Sequence, residues 1–245
     1  MNKVIRCRNT NNRKIAALLV VQVLLGVFPV LMLLAFVFFR LFEQQILAVV
    51  FIGLIFLSNA AYVIVGRRYN ILNSGRRGEK QLFRAVKRLS GNNIVFCNLP
   101  VRYKRGRSEL DMLIISHKGV IIVEVKNHGG TIQGSWKADK WEQRKYYRDK
   151  NTVQQMDNPI KQMRRQRDIV KSILNAAGED VWIDTVLYFS GDNVKLKLNL
   201  REIDYVCLGS KELMHFLENY DRGEVLSRSR MENIAKIMND ARENI

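Results

Sequence analysis

The sequence predicts an α/β fold, a three-layer sandwich with a mixed central sheet, preceded by two transmembrane helices. Three observations predict it. Two long uncharged runs stand near the N-terminus, at residues 15–39 and 46–65. An apolar, β-branched hairpin lies near the middle of the chain, within residues 107–131. Around that hairpin the patterns follow in the order helix, strand, hairpin, helix, strand, strand, which fits helices on both faces of a mixed sheet.

The two runs come first. They are 25 and 20 residues long. At 1.5 Å per residue each reaches across a hydrocarbon core of about 30 Å. A cleaved signal peptide is the rival reading of the first run. The run is too long for that, no small-x-small site ends it, and a second span follows at once. Burial inside a soluble domain is the other alternative, and two such runs in succession argue against it. Pro29 is tolerable in a span, and the phenylalanine-rich stretch 28–42 suits a lipid-facing surface. Lys3, Arg6, Arg8, Arg13 and Lys14 precede the first span, and Arg67, Arg68, Arg76 and Arg77 follow the second. The loop between them has only Arg40, with Glu43 beside it. By the positive-inside rule both termini are cytoplasmic and the short loop is outside. The expected organisation is a basic N-terminus at 1–14, spans at 15–39 and 46–65, a linker at 66–77, a globular domain at 78–208 and a helical extension at 209–245. The expected location is the cell membrane (the inner membrane where there are two), crossed twice, with the domain in the cytoplasm.

The formal charge is +17. Residues 1–78 hold ten basic groups and one acidic, so +9 falls there and +8 remains for the rest. Topology accounts for the first share. The second favours an anionic partner, nucleic acid or acidic lipid. Cys7, Cys97 and Cys207 are far apart and odd in number, so neither a metal spacing nor a disulfide framework is read from them, which fits a reducing compartment. His117, His128 and His215 are too scattered for a zinc site, and His128 reads as an ordinary loop histidine.

After the linker a helix is expected at 79–89, with Leu82, Phe83, Val86 and Leu89 as its apolar stripe. Glu79 shares that face. A carboxylate at a helix N-terminus has a bland reading, complementing the dipole; its inward direction suits a site. A first strand follows at 93–98. The basic, glycine-containing connection at 102–107, with Arg102, Lys104 and Arg105, reads equally as a nucleic-acid-facing loop or a solvated turn.

In the hairpin, residues 110–115 and 120–125 flank the turn Ser116-His117-Lys118-Gly119. A symmetric turn pairs Ile115 with Val120 and Asp111 with Glu124. The two carboxylates then share a face about 5 Å apart at Cβ. Lys126 lies two residues past Glu124 and joins them. Two buried carboxylates repel each other unless a cation sits between them. A divalent metal ion does that, and an acidic pair with a nearby lysine is a common way to build a hydrolytic Mg²⁺ site.

Asp111, a twelve-residue gap and then Glu124-Val125-Lys126 resembles the PD-(D/E)xK nuclease signature. The text GVIIVEVKNHGGTIQGSW is more similar still to the nuclease-related domain (NERD) family. No proline precedes Asp111, a departure usual in that superfamily. The resemblance covers residues 75–208 and implies a restriction-endonuclease-like core. It also implies metal-dependent phosphodiester hydrolysis, of DNA before RNA. Asp111, Glu124 and the carbonyl of Val125 would hold Mg²⁺ or Mn²⁺. Gly78-Glu79 matches the family's Gly-Glu, which makes Glu79 a third acidic ligand. Lys126 would orient the water or stabilise charge on the phosphorane.

The remaining elements follow in order. A strand is expected at 131–136. Residues 141–148 interleave Trp141, Arg144, Lys145, Tyr146, Tyr147 and Arg148, a pattern that suits base stacking but more simply a ladder on a sheet edge. Asn158 caps a helix running to Ala177, with Pro159 at its first position. Ile160, Met163, Val170 and Leu174 face the core, while Lys161, Arg164, Arg165, Arg167 and Lys171 form a basic flank. With Lys161, Arg164 and Arg165 this flank is the expected backbone-binding surface, beside the 102–107 loop. Asn158-Pro159 with Gln162 resembles the family's Asn-Pro-x-x-Gln element, which puts Gln162 at the site. Strands at 181–190 and 203–208 follow, then helices at 210–219, capped by Ser210, and 229–242. Two further readings remain: a non-catalytic, membrane-tethered module that binds nucleic acid or protein, and a structural membrane protein whose basic face binds lipid. The second does not explain the acidic constellation.

Overall fold

The computed structural model describes residues 2–7, 10–38, 45–147, 150–223 and 225–242. The chain divides into two units, Asn9–Arg76 and a second made of Met1–Arg8 with Arg77–Ile245.

The first unit is a pair of helices. Helix α1 is Thr10–Phe38, and α2 is Gln45–Val86, whose last turns belong to the second unit. Both are long and apolar enough to cross a membrane. Small and polar residues bring them together: Ser58 Oγ donates to the Leu25 carbonyl at 3.0 Å, and Gly26 lies against the Tyr62 ring. Close approach at small residues and one hydrogen bond are what hold helices together where solvent gives no hydrophobic drive. Leu24, Val30, Leu34, Phe56 and Leu57 remain exposed. Residues 66–77, expected as a linker, are helical. They contain no proline, and a helix already nucleated by the span absorbs Gly66 and Gly75 at about 1 kcal/mol each. Arg40 and Glu43, between the spans, lie outside the described residues.

The second unit is a mixed α/β sandwich. Its strands are β1 (Lys3–Arg6), β2 (Ile94–Tyr103), β3 (Gly106–Ser116), β4 (Gly119–Lys126), β5 (Gly130–Ser135), β6 (Lys140–Tyr147), β7 (Lys150–Asp157), β8 (Ile183–Phe189), β9 (Val194–Asn199) and β10 (Tyr205–Leu208). Its further helices are α3 (Pro159–Ala176), α4 (Gly209–Asn219) and α5 (Arg228–Asp240). The main sheet has the order β1-β2-β3-β4-β8-β10. Only β3 runs against the others. Alternation along β3 and β4 feeds two cores. Leu113, Ile115, Val120 and Ile122 pack with α3 and α5. Met112, Ile114, Ile121 and Val123 pack with the end of α2 and with α4. A central strand buried on both faces reads as a continuous apolar run, as β4 does.

The hairpin register is the expected one, from Met112 opposite Val123 to Ser116 opposite Gly119. Further features differ from expectation. Residues 3–6 are an edge strand parallel to β2 rather than a tail. A second sheet, β7-β6-β5-β9, holds Trp141, Ile132, Ile160 and Phe189 in a third core. β5, β6 and β7 are short or polar and carry no clear apolar alternation, whereas β9 does, with Val194, Leu196 and Leu198 turned to that core. Gly134 is required there, because a Cβ would collide with the Trp141 ring. Ser210 does not cap α4. The cap position is Leu208, and Glu212 reaches back to its N–H at 2.7 Å.

Candidate metal and phosphodiester site

Five of the six strands of the main sheet point to one edge, and the candidate residues gather there. β4 ends on Glu124, Val125 and Lys126. Glu124 is 2% exposed and its carboxylate is fully engaged. Oε1 accepts from Lys126 Nζ at 2.7 Å and from Gln162 Nε2 at 2.7 Å. Oε2 accepts from Gln166 Nε2 at 2.8 Å. Lys126 also donates to Gln162 Oε1 at 3.1 Å. A buried carboxylate is affordable only with such compensation.

Asp111 falls where both neighbouring ladders are interrupted. The β2–β3 register passes from Cys97 opposite Met112 to Leu99 opposite Leu110, and the β3–β4 register begins at Met112. At the same point Leu99 and Leu110 join the α3-side core, while Cys97 and Met112 belong to the other. Freed from the ladder, the Val125 N–H donates to Asp111 Oδ2 at 2.8 Å. Asn98, opposite, takes a φ of 53°, a left-handed conformation that asparagine tolerates better than most. Its Nδ2 donates to Glu79 Oε2 at 2.9 Å. Burial, then the charge of Glu124, push the Asp111 carboxyl well above the usual carboxylate range; the Val125 N–H and Lys126 oppose this, and the charge of Glu79 adds to it.

Local structure sets these positions. Asn158 is buried and caps α3, its Oδ1 accepting from Ile160 N at 2.9 Å, with Pro159 next. Its Nδ2 donates to the carbonyls of Ser135 and Ala138, at 3.1 and 2.6 Å. The Asn-Pro pair therefore fixes both the start of α3 and the phase that turns Gln162 and Gln166 onto Glu124. Gly78 precedes Glu79 because a Cβ there would stand 2.6 Å from Ser190 Oγ and 2.9 Å from Val125 Cγ1.

Gln166 is missed by the sequence reading. It is fully buried, donates to Glu124 and to the Glu109 carbonyl, and its own Oε1 has no partner. Its signal was available: a glutamine in the middle of the stripe Ile160, Met163, Val170, Leu174, one turn past Gln162. Asn98 is the other residue missed. The structure brings Lys104, Arg105, Lys161, Arg164 and Arg165 together around a cleft of about 600 Å³. Arg164 there is held by Asp204 at 3.3 Å and lies over Trp136, and Lys161 pairs with Asp139. Arg102 is not part of that lining. It stands opposite Arg107 in the β2–β3 ladder, so the connection is a tight turn at Lys104-Arg105 rather than a loop. Trp141 is fully buried, with Nε1 donating to the Ser135 carbonyl at 3.0 Å, and offers no stacking surface. Arg148 lies outside the described residues. His128 is half-buried, and burial with the nearby Lys126 and Lys145 lowers its pKa.

Among the described residues no three His, Cys, Asp or Glu side chains form a metal-holding group. Two carboxylates do converge, one with its proton affinity raised by the other. Beside them the orphaned amide oxygen of Gln166 offers a further hard acceptor. An all-oxygen set of this kind fits Mg²⁺ or Mn²⁺, which keep several waters.

Residues 74–190 match the family model of the nuclease-related domain, NERD. Over 90 residues the chain is 36% identical to an uncharacterized protein of Bacillus anthracis, across 36% of this chain and 41% of that one. The match thus spans about two fifths of that relative's length. No solved structure matches. The chain carries a nuclease-related domain, preceded by two helices apolar enough to span a membrane.

Proposed function

We propose that this nuclease-related domain is a membrane-anchored, metal-dependent nuclease that hydrolyses phosphodiester bonds in DNA. The observation that carries the reading is the convergence of Asp111, Glu124 and Lys126 at one sheet edge, with Gln162 and Gln166 holding Glu124. Asp111 and Glu124 hold the metal ion with the Val125 carbonyl, and Glu79 acts from beside Asn98 as a third acidic group. The chemistry a bound Mg²⁺ or Mn²⁺ supplies is polarisation of a phosphate and acidification of a water. Lys126, steered by Glu124 and Gln162, directs its ammonium at the oxygen where charge develops. Gln166 keeps the Glu124 carboxylate in one rotamer. Lys104, Arg105, Lys161, Arg164 and Arg165 line the cleft beside the site and hold the phosphate backbone, with little sequence preference. Arg102 stands next to that turn as an accessory contact.

The helical pair supports anchoring, with both chain ends in the cytoplasm. Residues 3–6 and 94–97 pair in one sheet, so the segments before and after the two helices belong to one folded unit. A hairpin that crosses a bilayer twice satisfies that; a single crossing does not.

One observation favours a second reading, a non-catalytic module that binds nucleic acid. Both oxygens of Glu124 already have side-chain donors, so that carboxylate is satisfied without a metal. Lys126→Met separates the two. For a nuclease, turnover falls by about 100-fold or more while DNA affinity stays within about threefold, because one of many cationic contacts is lost. Cleavage that persists in Lys126→Met contradicts the role given to Lys126. Metal-independent DNA binding, with no cleavage in the unmodified chain, supports the module.

A further inference from the structure

On the α2 and α4 side of the main sheet, outside the residues assigned above, lies a polar cavity of about 360 Å³. Arg84 and Arg88 line it, with Ser190 after β8, Asp192, and Gly209 and Ser210 in the first turn of α4. We propose that this cavity binds a phosphate group of the nucleic-acid strand, distinct from the one being cleaved. The identity of the anion rests on the nuclease reading; its binding does not.

Two observations point to an anion. Arg84 and Arg88 are exposed, and neither has an acidic partner among the described residues. Two guanidiniums against the one carboxylate of Asp192 leave the lining cationic. Ser190 is 6% exposed, and its hydroxyl has no hydrogen-bond partner. A buried hydroxyl without a partner is costly, and a phosphate oxygen in the cavity would supply one after a small rotation. At the N-terminus of α4 the cap position, Leu208, has no side-chain cap of its own, and Glu212 accepts from its N–H at 2.7 Å. That carboxylate offsets the helix dipole, so the arginines and Ser190 carry the anion site.

The position suits a substrate contact. The Ser190 N–H donates to the Lys126 carbonyl at 3.1 Å, so the cavity adjoins the strand end that carries the lysine. The cleft of Lys104, Arg105, Lys161 and Arg165 lies on the opposite, α3-covered face. A strand laid across the sheet edge would therefore meet cationic groups before and after the acidic pair.

The test uses the full chain in a phosphate-free sugar detergent with EDTA, which removes cleavage from the readout. Binding of inorganic phosphate is followed by line broadening of its phosphorus resonance. The expected result is saturable binding that weakens about tenfold or more in Arg84→Gln/Arg88→Gln, since both charge-assisted hydrogen bonds to the anion are lost. Ser190→Ala weakens it less, and Lys236→Gln, on the exposed face of α5, leaves it unchanged. A single-stranded oligonucleotide of about ten nucleotides displaces the phosphate. Equal binding in the double arginine variant, no saturable binding in the unmodified chain, or no displacement by the oligonucleotide overturns the proposal. A chain that cuts DNA but binds no phosphate here refutes the cavity alone. A chain that binds phosphate through Arg84 and Arg88 yet cuts nothing upholds the cavity and refutes the nuclease.

Discussion

Asp111 sets the charge balance of the site. Its carboxyl is held up by burial and by Glu124, against an ordinary value of 3.8. A folded-state pKa raised above the unfolded one contributes stability in full below the unfolded value, lost as pH rises through the folded value. The metal-free chain is therefore weakened at neutral pH, where the unfolded Asp111 has given up its proton and the folded one resists doing so. Asp111→Asn is expected to raise its melting temperature with EDTA present, with a gain that is absent below about pH 3.5, grows as pH rises and then levels off. Added Mg²⁺ should stabilise the unmodified chain and not the variant. A gain that does not change with pH contradicts the assignment. Asp111, Glu124 and Lys126 were legible because three charged groups inside an apolar hairpin have no structural purpose. Gln162 was legible only by resemblance. Gln166 was not read although its place in the apolar stripe of α3 marked it, and Asn98 was not because a left-handed φ is invisible in sequence.

Among the elements, α3 carries the most positional information. Its cap, Asn158, satisfies the first turn and also ties down the β5–β6 connection through two carbonyls. Asn158→Ala is expected to destabilise the domain by about 2 kcal/mol, the loss of a cap and of a buried donor. Denaturant unfolding checks it; a change under about 0.5 kcal/mol contradicts the role. The same variant should also loosen Gln162 and Gln166. The α3 start and the hairpin register were legible because proline, asparagine and a glycine turn each fix a local geometry. Strands β1 and β7 were not, and β9 went unread although Val194, Leu196 and Leu198 alternate with polar residues along it. β1 has four residues and β7 is almost wholly polar, so long-range pairing decides their structure rather than local pattern.

At the scale of the whole chain, composition announced both the spans and the cationic domain. The share of charge belonging to each followed from counting. What composition did not disclose is that residues 3–6 return to the sheet. Truncating the chain at the end of the helical pair would remove an edge strand, so the intact protein is the proper reagent. The expected topology is checked in sealed cells: Phe42→Cys should react with a membrane-impermeant maleimide from outside. The native Cys7, Cys97 and Cys207, all buried, should not. Labelling that needs permeabilised cells contradicts a cytoplasmic domain. The most direct measurement of the central claim is cleavage of supercoiled plasmid and single-stranded DNA by the full chain, with Mg²⁺, Mn²⁺ or EDTA, beside Glu124→Ala. The account predicts cutting that requires the metal and vanishes in the variant. Cutting that survives EDTA or Glu124→Ala, or no cutting with any metal, contradicts it.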